Sequence, residues 1–354
     1  MADDNAKLPS DVSPARTPTI HVAPSPHLSD YDFTTKRMML DVLIGLAPAF
    51  VISLFVFRWF AVFQLGICVL TCILVEAITS RMRGRPIPTG DYSAVVCGTI
   101  LAFSLPCGAP WYVPVIGAAV AIGLGKAAFG GLGFNLFNPA MVGRAFIMLS
   151  FAQAMGAGGY VQQRSEITVL TQATPLSVTK QVAGNMLAGN EVPQELQTQL
   201  AKSTRLWDLF IGRTNGSIGE TSTLALLLGG VYLCLRRVAA WQIPLSMIAG
   251  GIVCGGLAQW MGLTPVSVLH QLASGAFILG AFFIATDPVT SPMVPKGRAI
   301  FGFGVGAFTI LIRVLSGYPE GVMFAILLMN SMTPLINRWT IPEPLGAVAA
   351  PASA

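Results

Sequence analysis

Apolar runs long enough to cross a lipid bilayer are the feature of this sequence that most restricts its fold. They cover residues 38–57, 60–78, 221–235 and 300–315, and several approach the roughly 20 residues that a helix needs to cross the hydrocarbon core. Only 10% of the residues are charged and 53% are hydrophobic, whereas a soluble domain carries about 25% charged residues. A soluble globular enzyme is therefore disfavoured, and the sequence predicts an all-α polytopic membrane protein.

About ten membrane-spanning segments are predicted. They lie near residues 39–57, 60–79, 93–109, 112–130, 140–156, 219–235, 241–260, 270–286, 299–315 and 320–336. Basic residues orient such a protein, because Lys and Arg are enriched in cytoplasmic connections. With ten crossings, one side carries Lys36, Arg37, Arg81, Arg83, Arg85, Arg236, Arg237, Lys296, Arg298 and Arg338. The short connections opposite hold little beyond Arg58, so both termini are predicted to be cytoplasmic.

The predicted spans form two groups of five. Residues 131–144 read GLGFNLFNPAMVGR and residues 321–338 read GVMFAILLMNSMTPLINR, and each run closes one group. Because five is odd, the groups must have opposite topology, which predicts an inverted repeat with a central site where broken helices meet. Chance similarity between glycine- and proline-rich membrane segments is the alternative. The predicted domains are a disordered cytoplasmic tail at 1–35, a first five-helix repeat at 36–156, a periplasmic loop at 157–218, a second repeat at 219–338 and a cytoplasmic tail at 339–354.

The polar segment 157–218 follows five crossings and is therefore predicted to lie outside the cytoplasm. A short surface helix is expected at 191–202, and the remainder is expected to be irregular. A connection of this length without secondary structure of its own is usually functional or disordered.

Acidic residues within or beside the spans are candidates for chemistry, because a charge in hydrocarbon must be paired, face a cavity or lie at the interface. They are Asp41, Glu76, Glu220, Asp287 and Glu320. Asp41 can pair with Arg37 one helical turn away, and Asp287 can cap the turn DPVTSP. For Glu76, snorkelling to the interface beside Arg81 and Arg83 and a role at an ion entrance both stay open.

Two polar motifs indicate a function less specifically than these acidic residues do. Residues 216–224, GSIGETSTL, lead into a span, where their side chains can cap the helix or its free N–H groups can bind a phosphate. Residues 171–176, TQATPL, place Thr174 before a proline, which favours an extended backbone.

The six cysteines lie in or beside apolar segments without metal-ligand spacing, which is typical of small buried hydrophobes. Walker, HExxH and Ser/His/Asp motifs are absent, and three histidines, two of them in the tail, argue against haem.

Several longer motifs occur together in one order. They are Ser25-Pro26-His27, GKAAFGGLGFNLFNPAMVGRAF at 125–146, TQATPL at 171–176, GSIGETSTLAL at 216–226, ATDPVTSP at 285–292 and GYPEGVMFAILLMN at 317–330. With this set, the chain resembles the RnfD proteins of the Rnf ion-translocating electron-transport complex. It is also similar to the related NqrB proteins of the sodium-translocating NADH:quinone reductase, over roughly residues 25–340. The resemblance implies two inverted five-helix repeats similar to urea channels.

The resemblance also implies a cofactor. In that family FMN is joined through its phosphate to the last threonine of a motif [S/T]-G-A-T, which here reads Thr171-Gln172-Ala173-Thr174. Thr174 is thus the implied attachment site, although glutamine replaces the family's glycine, and Lys180 is near enough in sequence to neutralise the phosphate. A second, non-covalent flavin (riboflavin) is implied for some members.

The function implied by the resemblance is electron relay within a larger assembly. The complex would exchange electrons between NADH and ferredoxin or flavodoxin and couple this to Na⁺ or H⁺ movement. Its partners would be the other Rnf proteins (RnfA, RnfB, RnfC, RnfE and RnfG) in a bacterial inner membrane. This sequence shows no NADH site and no Fe–S ligands of its own. The alternative is a cofactor-free solute channel or transporter of inverted-repeat architecture.

Overall fold

The computed structural model describes residues 34–85, 89–106, 108–155, 174–203, 205–212 and 216–342. The helices are α1 Thr35–Phe57, α2 Trp59–Met82, α3 Ser93–Phe103, α4 Tyr112–Ile122, α5 Pro139–Ser150, α6 Ala152–Met155, α7 Pro175–Leu187, α8 Gln194–Ser203, α9 Leu206–Ile211, α10 Thr223–Leu235, α11 Gln242–Trp260, α12 Val268–Ala273, α13 Phe277–Leu279, α14 Pro295–Leu315 and α15 Val322–Thr340. Two π-helical turns, Gly123–Ala127 and Gly280–Ile284, extend α4 and α13. No β-strand occurs within these described ranges, so the all-α class is confirmed.

Within the described part of the chain, four helices, α1, α2, α11 and α14, are long and apolar enough to cross a membrane, and four further apolar segments are shorter. Each predicted span overlaps one of the observed helical segments, which confirms a polytopic membrane protein. The number of crossings and the inverted repeat stay predictions. Two helices end earlier than the predicted spans 93–109 and 140–156: α3 stops at Phe103 and α5 at Ser150. In α3 the cause is Pro106, which disfavours helical backbone in the residue before it.

The predicted span 270–286 is not one helix. It divides into α12 and α13, and Gly275 lies between them with a positive φ of 67°. A left-handed residue cannot continue an α-helix, and only glycine adopts this conformation without strain. The segment therefore bends at Gly275 before it continues through α13 and its π-helical turn.

Close helix packing in the core depends on glycine. α11 and α14 make the most extensive helix contact, and Gly306 of α14 lies against the carbonyl oxygen of Met247. The first and sixth predicted spans, α1 and α10, meet where Gly229 lies against the carbonyl oxygen of Gly45. Small residues let helix backbones approach closely in membrane proteins. The second contact joins the two predicted halves of the chain.

The polar connection is more helical than the sequence analysis predicted. The expected helix at 191–202 is present as α8, but α7 and α9 also form, so the expectation of an irregular remainder is wrong for residues 175–187 and 206–211. Thr174 caps α7 and Pro175 occupies its first position, a favourable combination for a helix start. Residues 156–173, with Thr171, lie outside the described residues, as do nearly all of the predicted tails and Cys107.

Candidate functional site

A buried ion pair lies at the C-terminal end of α14, next to the polar connection. The guanidinium of Arg313 is 3.1 Å from a carboxylate oxygen of Glu320, and both side chains are buried. Arg313 also donates to the carbonyl oxygens of Gln271 and Ser274, and Glu320 accepts from the N–H of Ala276 at 3.1 Å. The pair is thus held by backbone groups on both sides of the Gly275 bend.

Arg144 of α5 extends this cluster into the first half of the chain. It is buried, and it attracts the carboxylates of Glu220 and Glu320 electrostatically. Its Nε and one terminal nitrogen have no hydrogen-bond partner among the described residues. We call Arg144, Glu220, Arg313 and Glu320 the loop-side cluster. Its formal charges, two positive and two negative, balance, which reduces the cost of placing them in a protein interior.

Thr174 is the N-cap of α7 and lies two residues before Leu176, which approaches this cluster at Gly275. Its hydroxyl oxygen accepts from the N–H of Ser177 at 3.2 Å, and the residue is 9% exposed. A phosphoester on this oxygen would stand at the positive end of a 13-residue helix. Free N–H groups and the helix dipole both favour an anion there. The position therefore fits the phosphate of an attached FMN.

Two contacts fix α7 onto the helical core. The ammonium of Lys180 donates to the carbonyl oxygens of Arg313 at 2.9 Å and Val314 at 3.2 Å. Cations stabilise the last carbonyls of a helix in this way. Partial burial lowers the pKa of the Lys180 ammonium below its usual value. The expectation that Lys180 neutralises a phosphate is not supported, because its observed partners are the last carbonyls of α14.

The second contact is made by Leu176, two residues after Thr174 along the chain. A Cβ added at Gly275 would lie 2.5 Å from Leu176 Cδ1, 2.7 Å from a Glu320 oxygen and 2.9 Å from an Arg313 nitrogen. Leu176 therefore rests on the Gly275 bend directly above the ion pair. The absence of a side chain at residue 275 makes this close approach feasible.

A second buried ion pair lies near the opposite end of the bundle. Lys126, in the π-helical turn after α4, donates to Glu76 of α2 and to the hydroxyl of Ser93, and all three side chains are buried. Of the two alternatives left open for Glu76, this burial argues against snorkelling to the interface. Its second carboxylate oxygen has no hydrogen-bond partner among the described residues. An adjoining cavity of about 290 Å³ is lined by Glu76, Lys126, Arg83, Arg85 and Asp91, among others.

A smaller, mainly apolar cavity of about 90 Å³ lies next to Lys126, between α1, α3, α5 and the residues after α13. Its polar lining includes Asn135, Asn138 and Asp287, and the buried amide oxygen of Asn135 lacks a hydrogen-bond partner among the described residues. Apolar walls with a few polar groups are typical of ligand sites, but such sites usually hold about 300–1,000 Å³. A flavin would enter this cavity only if its walls moved apart.

The remaining sequence candidates have structural roles. Asp41 accepts from the hydroxyl of Tyr232 at 2.8 Å and lies 3.5 Å from Arg236, partners that the sequence analysis did not predict. Asp287 accepts from the N–H of Val289 at 3.2 Å, which confirms the predicted cap.

Capping is also confirmed in residues 216–224. Ser222 accepts from the N–H of Ala225 as the N-cap of α10, and Glu220 accepts from the N–H of Ser217 at 3.4 Å. Three of the cysteines, Cys68, Cys72 and Cys97, are buried among apolar side chains, as predicted for small hydrophobes.

The helices and the two buried ion pairs define an all-α, multi-pass membrane protein with polar clusters near both ends of its bundle. The chain belongs to the NQR2, RnfD, RnfE family, whose model matches residues 21–346. It is 38% identical to the D subunit of the proton-translocating ferredoxin:NAD(+) oxidoreductase complex of Clostridium ljungdahlii, over 92% of this chain and 96% of that protein. It is 39% identical to the D subunit of the Na(+)-translocating ferredoxin:NAD(+) oxidoreductase complex of Acetobacterium woodii, over 90% of this chain and 93% of that protein.

A third relative comes from Halorhodospira halophila. The chain is 39% identical to the D subunit of the ion-translocating oxidoreductase complex of that organism, over 87% of this chain and 91% of that protein. All three relatives are named as the same component of an ion-translocating oxidoreductase complex.

Proposed function

We propose that this chain is the flavin-carrying membrane component of an ion-translocating ferredoxin:NAD⁺ oxidoreductase complex. Its relatives bear the names of such components. The observation that carries the proposal is the position of Thr174, which caps α7 beside the loop-side cluster. An FMN joined there through a phosphoester would supply electron transfer in single steps.

The residues around Thr174 hold the attachment point rather than react. Lys180 ties α7 to the end of α14, and Leu176 packs on the Gly275 bend. The N–H of Ser177, in the first turn of α7, donates to the hydroxyl that would carry the phosphate. A covalent tether would also keep the flavin at high effective concentration near its docking surface.

The proposed location is the bacterial inner membrane, with both termini cytoplasmic and residues 157–218 periplasmic. The two groups of five spans would form an inverted repeat, a proposal that the α1–α10 glycine contact supports. The proposed partners are RnfA, RnfB, RnfC, RnfE and RnfG of the Rnf complex. The apolar cavity beside Asn135 is the proposed place for a second, non-covalent flavin, subject to widening of its walls.

In-gel flavin fluorescence after denaturation in SDS tests the proposal, because only covalently attached flavin survives this treatment. The wild-type chain, produced together with its flavin-attaching enzyme, should fluoresce at its own band. Thr174→Val should abolish this signal while the protein still inserts into the membrane. Thr171→Val, a change in the same motif, should retain part of it. A dark wild-type band would instead favour a cofactor-free channel or transporter.

A further inference from the structure

The short helix α9 exposes apolar side chains although it belongs to the polar connection. Its sequence is LWDLFI, and Leu209 is buried against the rest of the protein. Trp207 is 70% exposed, and Ile211 is exposed as well. These two residues are four positions apart, so they lie on one side of the helix. We call Trp207 and Ile211 the α9 face. A helix surface that meets water is normally polar, so this face requires another environment.

The helix α9 is fixed to the ends of two predicted membrane spans. Gly212, which ends α9 with a φ of 105°, approaches α1 and α10 closely. A Cβ added there would lie 3.1 Å from Ile52 Cγ2 and 3.0 Å from the carbonyl oxygen of Thr221. The hydroxyl of Ser222, the N-cap of α10, donates to the carbonyl oxygen of Phe210 at 3.1 Å. The position of α9 relative to the bundle is therefore set by specific contacts.

The contact with Ile52 defines the depth of α9 in the membrane. The apolar run 38–57 of α1 has about the length of the hydrocarbon core, and Arg58 follows it. Ile52 is six residues before Arg58, which corresponds to about 9 Å at 1.5 Å per residue. Interfacial helices bury their apolar faces about 5–10 Å into the boundary between head groups and acyl chains. Gly212, at the end of α9, thus lies at the depth that is typical of such helices.

The residues around α9 have the chemistry of a membrane interface. Tryptophan is enriched where head groups meet acyl chains, because its ring is apolar and its N–H is polar. Trp59, which directly follows Arg58 at the same end of the bundle, is also 82% exposed. Arg205 precedes α9 and is exposed. A long basic side chain at this level can extend its charge to the lipid phosphates.

We propose that α9 is an interfacial helix that docks the polar connection onto the bilayer. The α9 face contacts lipid at the boundary between head groups and acyl chains, and Arg205 lies near the phosphates. The contacts that carry this proposal involve α1, α9 and α10, so it does not depend on the proposed flavin. The polar connection is then held at two places, by Lys180 on the last carbonyls of α14 and by α9 in the lipid.

Lipid is the occupant that the surroundings of α9 favour. Phe55, on α1 one turn after Ile52, is 81% exposed, as is usual for a side chain that faces acyl chains. A helix that packs beside Ile52 shares this apolar environment. A water-soluble partner would reach the α9 face only by entering the same layer of the membrane.

Photo-crosslinking of the full-length chain in its complex, in native membranes, tests the proposal. Trp207→benzoylphenylalanine places a ketone on the α9 face that bonds to a neighbouring C–H group under ultraviolet light. Phe55→benzoylphenylalanine is the lipid-facing control on α1. Thr198→benzoylphenylalanine is the matched control within the polar connection, because Thr198 is exposed on the neighbouring helix α8. Intact-mass spectrometry detects phospholipid adducts, and denaturing gels detect bonds to other protein chains.

Positions 207 and 55 should give phospholipid adducts, and position 198 should give none. Ile211→benzoylphenylalanine, on the same face one turn later, should behave like position 207. Bonds from positions 207 and 211 to another subunit, or to a second copy of this chain, would overturn the proposal and identify a protein interface. Unlabelled 207 and 211 beside a labelled position 55 would also overturn it, because the face would then meet water. Equal lipid labelling at position 198 would likewise overturn it, since exposure anywhere in the connection would suffice.

Discussion

At the scale of single residues, Gly275 lies where α7 meets the buried Arg313–Glu320 pair. Its φ of 67° bends the chain between α12 and α13, and its missing side chain leaves room for Leu176. The three atoms closest to an added Cβ are the ends of side chains, so each could move in principle. Two of them belong to the Arg313–Glu320 ion pair, however, and they could move only by weakening hydrogen bonds in a buried site.

Gly275→Ala should therefore lower stability by more than backbone strain alone. Strain at a left-handed residue costs about 1–3 kcal/mol, and overpacking typically adds about 1–3 kcal/mol. Gly189→Ala is the control, because Gly189 has a φ of 71° but no atom within 4 Å of an added Cβ. Thermal unfolding in detergent should show a clearly larger loss for Gly275→Ala. Equal losses of stability in the two variants would mean that Leu176 and the Arg313–Glu320 pair can move aside without destabilising the protein.

At the scale of elements, the Glu76–Lys126 pair joins α2 to the π-helical turn after α4. The two residues are 50 positions apart in sequence, and both are buried. Removing one partner of a buried pair leaves an uncompensated charge, which costs about 3–5 kcal/mol. Replacing both partners by neutral groups avoids that cost.

A double-mutant cycle checks this account. Lys126→Met should destabilise the chain strongly, and the combination Glu76→Gln with Lys126→Met should be less destabilised than the sum of the single changes. Additive losses would show that the two groups do not interact.

If Glu76 also lies at an ion entrance, Glu76→Gln in the assembled complex should weaken stimulation of electron transfer by Na⁺ or H⁺ and leave the flavin in place. Unchanged stimulation would limit Glu76 to its structural pair.

Much of the helical framework could be predicted from the sequence, because the apolar runs are long and local. The pairing of Glu76 could not, since its partner is distant in the chain. One signal was available: Lys126 is a lone cation inside the predicted span 112–130, and such a charge requires a partner or a cavity. The Thr174-Pro175 pair likewise indicates a helix start that the sequence analysis did not use.

The loop-side cluster was only partly predictable. Glu220 and Glu320 were recognisable as acids beside spans, but Arg144 and Arg313 reach them through tertiary packing. His270 stood out only as a histidine at the edge of a span. Its burial without a hydrogen-bond partner among the described residues is a property of the fold, and no local pattern indicates it.

At the scale of the whole molecule, side chains from the predicted cytoplasmic connections meet at one end of the bundle. Lys36 stacks on the ring of Tyr92 at 5.5 Å, Arg236 lies near Asp41, and Arg85 donates to the carbonyl oxygen of Gly130 at 2.7 Å. Thr174 and the loop-side cluster lie toward the other end. Arg313 is 18 residues after Pro295, the first residue of α14, which corresponds to about 27 Å at 1.5 Å per residue. This arrangement supports a cytoplasmic and a periplasmic end.

Reporter fusions test the orientation. A reporter at Gly189, in the polar connection, should be active only if that segment is periplasmic, and a reporter after Arg338 should give the opposite signal. Alkaline phosphatase and a fluorescent protein that matures in the cytoplasm form a suitable pair. Matching signals at the two positions would contradict an odd number of crossings between them, and with it the inverted repeat.

Peptide mass spectrometry of the chain from an active complex tests the central claim most directly. The peptide that contains Thr171 and Thr174 should carry the mass of one FMN, bound as a phosphoester with loss of water, and fragmentation should place it on Thr174. Thr171 should be unmodified. An unmodified Thr174 in a fully active complex would contradict the assignment of this chain as a covalent flavin carrier.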